Sequence, residues 1–177
     1  MRPSLLILTV LAAALVLTAC GDDVYDDGAA KATVEGAKIA LSGEPVILSP
    51  DQVLCGEKQG LWDIDQLDSG GARGRLTAAG QALKFAEDIR MGDGKYSGPY
   101  TSMLGSFSLK VLKLDKVIDE KPDVKIVEGK MGVVIDHTCF AKPITLLGTN
   151  RGDFTEDFPP QVRLVKRGGW TVDQLLH

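Results

Sequence analysis

The run Phe107-Ser108-Leu109-Lys110-Val111, at residues 107–111, alternates large apolar side chains with polar ones. Because successive side chains of a strand point to opposite faces, this alternation predicts a half-buried β-strand. Leu112 and Leu114 then fall on the opposite parity, which predicts either a β-bulge or burial of both faces. From Tyr100 onward the chain therefore reads as β-structure.

The residues that follow extend this pattern towards a second strand. Residues 124–127 and 131–139 are rich in apolar and β-branched side chains, with Glu128-Gly129 between them as a tight turn or a bulge. In the second of these runs, alternate residues from Met131 to Cys139 are predicted to share one face.

The C-terminal residues have the pattern of a β-hairpin. Residues 162–166 alternate, Gly168-Gly169 predicts the turn, and Trp170-Thr171-Val172 predicts the last strand. This basic-Gly-Gly-Trp hairpin resembles the closing strands of NTF2-like and cystatin-like domains. The resemblance covers only the hairpin and implies a curved antiparallel sheet.

The N-terminal half of the domain carries helix signals. Ser49-Pro50-Asp51-Gln52 has the residues of a capping box and predicts a helix from Pro50 to about residue 60. Thr77 is a good N-cap and predicts a helix over residues 78–87 at most. Residues 29–41 have apolar side chains at helical spacing, but Gly36 in the middle leaves helix and strand both open.

Together these elements predict an α+β fold. We expect N-terminal helices packed on a curved antiparallel sheet of four to six strands, in a single globular domain over residues 29–177. That length is ample for a buried core. The chain has 24 acidic and 20 basic residues, and a mildly acidic chain without basic clusters argues against nucleic-acid binding.

The first residues have the organisation of an export signal. Residues 1–4 carry one positive charge, and residues 5–17 are apolar apart from Thr9, too short a run to span a bilayer comfortably. Leu17-Thr18-Ala19-Cys20 follows and resembles the lipobox of bacterial lipoproteins. The resemblance implies that residues 1–19 are a signal peptide, removed before Cys20, and that Cys20 carries a thioether-linked diacylglycerol. The alternatives are a secretory peptide without lipid and an uncut anchor.

The residues after Cys20 predict how the domain is attached. Residues 20–28 hold four aspartates among small residues, which predicts a solvated acidic tether without the spacing of a calcium loop. We expect the lipid alone to hold the domain at the bacterial cell membrane or the outer membrane, facing the periplasm or the cell surface. Gly21 in place of aspartate after the lipidated cysteine favours the outer membrane.

The cysteines left after lipidation are Cys55 and Cys139, and an even pair in an exported chain predicts a disulfide. The alternative is two buried free thiols. Asp136-His137-Thr138-Cys139 suggests a thiol nucleophile, but Asp136 points away from His137 on a strand, and a disulfide would consume the thiol. We therefore predict no catalytic residue, no metal site, and no cofactor besides the covalent lipid.

A binding role fits the remaining residues better. Aromatic side chains in loops or at strand ends, with one histidine, are the candidate contacts: Trp62, Tyr96, Tyr100, Phe154, Phe158 and His137. The alternative is that the aromatic residues complete the core, which we favour for Trp62 and Trp170. The first hypothesis is a non-enzymatic envelope lipoprotein that binds another envelope component or has a structural role towards it. The alternatives are a pocket for a small apolar ligand and a thiol enzyme or hydrolase that uses Cys139 with His137.

Overall fold

The structure is a computed structural model and describes residues 25–66, 71–91, 98–150, 153–154 and 159–176. Of these residues, 55% lie in strands and 20% in helices. The helices are α1 (Asp27–Gly36), α2 (Pro50–Lys58) and α3 (Ala78–Ala82), with a 3₁₀ turn at Thr138–Phe140. The strands are β1 (Lys38–Ile47), β2 (Trp62–Gln66), β3 (Ala72–Leu76), β4 (Ile89–Met91), β5 (Tyr100–Lys121), β6 (Val124–Val134), β7 (Ile144–Leu146), β8 (Thr149–Asn150), β9 (Asp153–Phe154), β10 (Gln161–Lys166) and β11 (Trp170–Leu176).

Nine of these strands form one antiparallel sheet in the order β11-β10-β6-β7-β1-β5-β4-β3-β2, and β8 pairs with β9. The long strand β5 pairs with β1 up to Ser108 and with β6 from Ser108 onward. Leu146 of β7 pairs with Val46 of β1 and with Met131 of β6. The pairings therefore close a ring through β1, β5, β6 and β7.

The predicted fold, with helices packed on a sheet of four to six strands, is wrong. The domain is mostly β, with one nine-stranded sheet. Residues 38–41, left open between helix and strand, begin β1, and residues without a predicted element form β3 and β4. In β1, Ile39 and Leu41 are buried while their neighbours are exposed, which is the period of a strand. Pairing with β5 overrides the helical tendency of this segment.

The β5–β6 pair carries the alternation seen in the sequence. Phe107, Leu109 and Val111 are buried as predicted, and a register shift after Val111 leaves Leu112 43% exposed, so the bulge alternative is confirmed. β6 runs through Gly129 without a turn, opposite a second register shift in β5. A Cβ at Gly129 would lie 2.2 Å from the Lys113 carbonyl oxygen, so this close approach needs glycine.

The predicted strand over residues 131–139 is right only as far as Val134. Beyond it, the His137 Nδ1 accepts a hydrogen bond from the Cys139 N–H at 3.2 Å and caps the 3₁₀ turn. The backbone at Cys139 therefore bonds locally and not to a neighbouring strand, so Cys139 does not lie on the face of β6 that begins at Met131. The predicted C-terminal hairpin is confirmed by β10 and β11.

Helix α2 begins with the predicted capping box. Ser49 Oγ accepts from the Gln52 N–H at 3.3 Å, and Gln52 Oε1 accepts from the Ser49 N–H at 2.9 Å. The Gln52 amide also donates to the Lys142 carbonyl at 3.0 Å, next to the 3₁₀ turn. The predicted disulfide is present: Cys55 on α2 and Cys139 on the turn are bonded, with Cα atoms 5.4 Å apart.

Reducing the disulfide should weaken the fold, because the bond closes a loop over a sequence separation of 84 residues. We expect the free energy of unfolding to fall by about 4–5 kcal/mol on the loop-entropy model. Urea unfolding with and without a reductant measures this change. The double variant Cys55→Ser with Cys139→Ser should be insensitive to reductant, and an unchanged midpoint on reduction of the wild type would contradict the assignment.

Trp62 holds α2 against the sheet. Its side chain has no exposed surface, and its Nε1 donates to the Val53 carbonyl at 2.9 Å. A Cβ built on Gly56, one helical turn after Val53, would lie 2.0 Å from the Trp62 ring. The helix therefore approaches the indole so closely that only glycine fits.

The substitution Gly56→Ala should destabilise the domain by about 1–3 kcal/mol through overpacking against the indole. The matched control is Gly36→Ala at the end of α1, where a Cβ would meet nothing within 4 Å. We expect the control to be neutral or slightly stabilising, because alanine favours helix over glycine. Thermal unfolding of both variants tests this, and equal losses would show that the contact with Trp62 is unimportant.

Asp88 links β3 to the segment before β4. Its carboxylate accepts from the Leu76 N–H at 2.8 Å and from Arg73 Nε at 2.7 Å. The hydrogen bond from the Leu76 backbone is the main cause that lowers the pKa of Asp88, and Arg73 adds to it. Since the folded-state pKa is lowered, the stabilisation exists above the unfolded-state pKa of about 3.9 and is lost as the pH falls through the folded-state pKa.

We expect Asp88→Asn to lower the free energy of unfolding by about 1 kcal/mol at neutral pH, where the wild-type carboxylate is charged. The difference from wild type should shrink as the pH falls below about 4. Asp63→Asn is the control, because the 3.6 Å pair of Asp63 with Arg75 is exposed and should contribute less than about 0.5 kcal/mol. A pH-independent difference between wild type and Asp88→Asn would contradict this account.

Candidate functional site

A groove separates β1 from β11 in the described part of the chain. On the side of β1 away from β5, Val46 and Ile47 pair with β7, and the Pro45 carbonyl accepts from the Leu147 N–H at 2.9 Å. Residues 38–42 have no ladder partner on that side among the described residues and form an open edge. β11 pairs only with β10 among the described residues, so its other edge is open as well. The two open edges face each other across a cavity of about 390 Å³.

The two edges run in the same direction. β1 is antiparallel to β5, β5 to β6, β6 to β10, and β10 to β11, so four reversals bring β11 parallel to β1. Open strand edges present backbone N–H and C=O groups, which are the groups that pair with an added extended segment. The groove therefore offers a polypeptide partner two edges of matching polarity.

The lining of the groove combines an apolar floor with polar rims. Ile39 is buried, and Val172 and Leu175 are half-buried, while Ser42 and Gln174 are exposed. A volume of this size lies within the range of small-molecule sites, although the groove is open to solvent. The full lining consists of Lys38, Ile39, Ala40, Ser42, Glu44, Val172, Asp173, Gln174 and Leu175.

The charge of Asp173 in this groove is compensated. Its carboxylate accepts from Arg163 Nη1 at 2.9 Å and lies 3.5 Å from Arg167 Nη2. Arg163 also contacts Glu120 at 3.4 Å, and hydrogen bonds first to Glu120 and then to Asp173 raise the pKa of its guanidinium. Each carboxylate oxygen of Asp173 thus faces a guanidinium, whereas Ser42 and Gln174 are exposed polar side chains at the rim.

The sequence-predicted contact residues do not gather at this groove. Trp62 is fully buried, with its ring centroid 5.6 Å from that of Phe85. His137 is half-buried and serves as the cap of the 3₁₀ turn. Tyr100 is half-buried at the start of β5, with the Arg90 guanidinium 5.7 Å from its ring centroid.

The other sequence-predicted residues lie partly or wholly outside what the structure describes. Tyr96, Phe158 and the lipidation candidate Cys20 fall outside the described residues, and Phe154 belongs to β9. Sequence reasoning missed the groove because half of it comes from β1, whose segment had been left open between helix and strand. The alternation of residues 38–42 was the available signal for β1, but nothing local shows that its edge faces β11.

No protein-family model, curated protein or solved structure matches this chain. Within the described ranges, no group of three or more His, Cys, Asp or Glu side chains could hold a metal ion. No helix in that part of the chain has the length and apolar content needed to cross a membrane. The features of the chain that bear on function are the groove, the disulfide and the export-signal pattern of residues 1–20.

Proposed function

We propose that this protein is a lipid-anchored cell-envelope lipoprotein whose domain binds another envelope protein through the groove between β1 and β11. The observation that carries the binding role is the pair of open, parallel strand edges over an apolar floor. The bond between Cys55 and Cys139 supports an exported location, because disulfides persist in oxidising compartments.

The anchor in this proposal is Cys20, acylated after cleavage of residues 1–19. Stable attachment needs more than one acyl chain, and in the bacterial lipoprotein pattern these chains are all carried by the one cysteine, here Cys20. The outer membrane is favoured by Gly21, and the domain then lies in the periplasm or at the cell surface. No nucleic acid and no cofactor besides the lipid enter this function.

A small ligand in the same groove is the second candidate, because the cavity volume suits one. The polar rim of Ser42 and Gln174 and the open backbone edges favour a polypeptide over an apolar molecule. The thiol-enzyme alternative would need a free Cys139 thiolate, and the disulfide with Cys55 removes that thiol. We therefore propose binding without catalysis.

Photo-crosslinking in intact cells tests the groove. A photoreactive amino acid in place of Gln174 should give a discrete protein adduct, whereas the same amino acid in place of Gln66, on the outer strand β2, should not. Adding Ala40→Arg should abolish the adduct formed at position 174, because the side chain would fill the groove from the β1 side. Gln66→Arg, an exposed strand position with the same added charge, should leave the adduct intact.

Equal adducts from positions 174 and 66 would contradict a partner site in the groove. An adduct from position 174 that persists with Ala40→Arg would do the same. Complete absence of a protein adduct would contradict the polypeptide partner and favour the small-ligand alternative.

A further inference from the structure

An aromatic contact fixes the first described residue to the domain. The rings of Tyr25 and Trp170 stack with centroids 4.6 Å apart, and Lys125 Nζ lies 5.8 and 5.4 Å from the two centroids. The Tyr25 hydroxyl donates to Thr33 Oγ1 at 2.6 Å, and burial raises the pKa of Tyr25. Asp26 then caps α1 by accepting from the Ala29 N–H at 2.8 Å.

This contact lies at one end of the sheet, where two turns meet. Trp170 begins β11 and pairs with Lys166 across the β10–β11 turn, while Lys125 follows the β5–β6 turn. The Lys166 N–H donates to the Asp123 carbonyl at 2.9 Å, which joins the two turns. We define residues 121–124 and 166–170 as the turn end of the domain.

Helix α1 starts at Asp27, inside the predicted acidic tether of residues 20–28, so the link to the lipid is short. Only residues 21–24 separate Cys20 from Tyr25, and a fully extended chain of that length reaches about 18 Å at about 3.6 Å per residue. A compact domain of this chain length has a radius of gyration of about 15 Å, so its diameter is well beyond the reach of the link.

We infer that the turn end faces the lipid bilayer that holds the anchor, and that the domain is kept in this one orientation. The inference rests on the proposed acylation of Cys20. Lys121 and Lys166 are exposed on the two turns and would lie nearest the lipid phosphates. Because the link itself carries Asp22 and Asp23, the orientation comes from the short covalent link and the Tyr25–Trp170 contact rather than from net positive charge.

The orientation has a consequence for the partner. The groove begins at Val172, two residues along β11 from Trp170, and therefore opens close to the membrane surface. A partner that reaches this groove must present its binding segment near the bilayer. Membrane-embedded or membrane-bound envelope proteins have such segments, whereas a freely diffusing protein has to approach a lipid surface first.

Lysine footprinting of the full acylated protein tests this orientation. The protein is reconstituted in phosphatidylethanolamine–phosphatidylglycerol vesicles and labelled with a membrane-impermeant amine reagent, and labelling at each lysine is compared with detergent-solubilised protein. Lys121 and Lys166 should be labelled severalfold more slowly on vesicles. Lys58 and Lys84 are the matched exposed controls and should be unchanged; Lys84 lies beside Leu104, near the other end of β5.

A variant with a longer link shows whether the protection comes from a fixed orientation of the domain or only from its being near the membrane. Insertion of about 16 Gly/Ser residues after Gly21 adds roughly 22 Å of reach and should remove the protection of Lys121 and Lys166 while the protein still floats with the vesicles. Equal labelling of all four lysines in the acylated wild type, or protection centred on Lys84, would overturn the orientation inferred here and leave the proposed acylation of Cys20 intact. A protein without acyl groups would overturn the proposed anchor and this inference with it.

Discussion

The architecture depends on the double pairing of β5 at Ser108. At this residue the strand stops pairing with β1 on one side and starts pairing with β6 on the other. β7 then joins β6 back to β1 through Leu146, so the ring closes with a strand of three residues. Because β7 has only three residues, residues 38–42 of β1 keep an open edge within the part of the chain that the structure describes, and the groove beside β11 lies along that edge.

Two further contacts hold helices on this ring. The Cys55–Cys139 bond fastens α2 to the 3₁₀ turn after β6, and the buried Trp62 of β2 donates to the Val53 carbonyl of the same helix. The second contact is the stacking of Tyr25 on Trp170, which fixes the start of α1 next to the two turns. The first contact suits a protein that folds in an oxidising compartment. Under the proposed acylation of Cys20, the second contact would hold the groove in one orientation to the membrane.

Local signals could be predicted from the sequence, and non-local ones could not. The capping box at Ser49, the alternation of residues 107–111 and the Gly168-Gly169 hairpin depend on neighbours in sequence, and each was predicted correctly. The choice between helix and strand in β1 depends on pairing with β5, whose partner residues lie 53 to 70 positions further along the chain. The groove depends on the four successive pairings that connect β1 to β11, so no local pattern reveals it. Trp62 lies in the core, the position that the sequence favoured for it over a contact site.

We propose a disulfide-bonded β domain carried on an acylated Cys20. Intact mass spectrometry of the membrane-extracted protein, before and after reduction and thiol alkylation, tests both the anchor and the disulfide. We expect the mass of residues 20–177 plus acyl groups, with two alkylatable thiols only after reduction. A mass without acyl groups, or a Cys139 thiol that is alkylated before reduction, would contradict it.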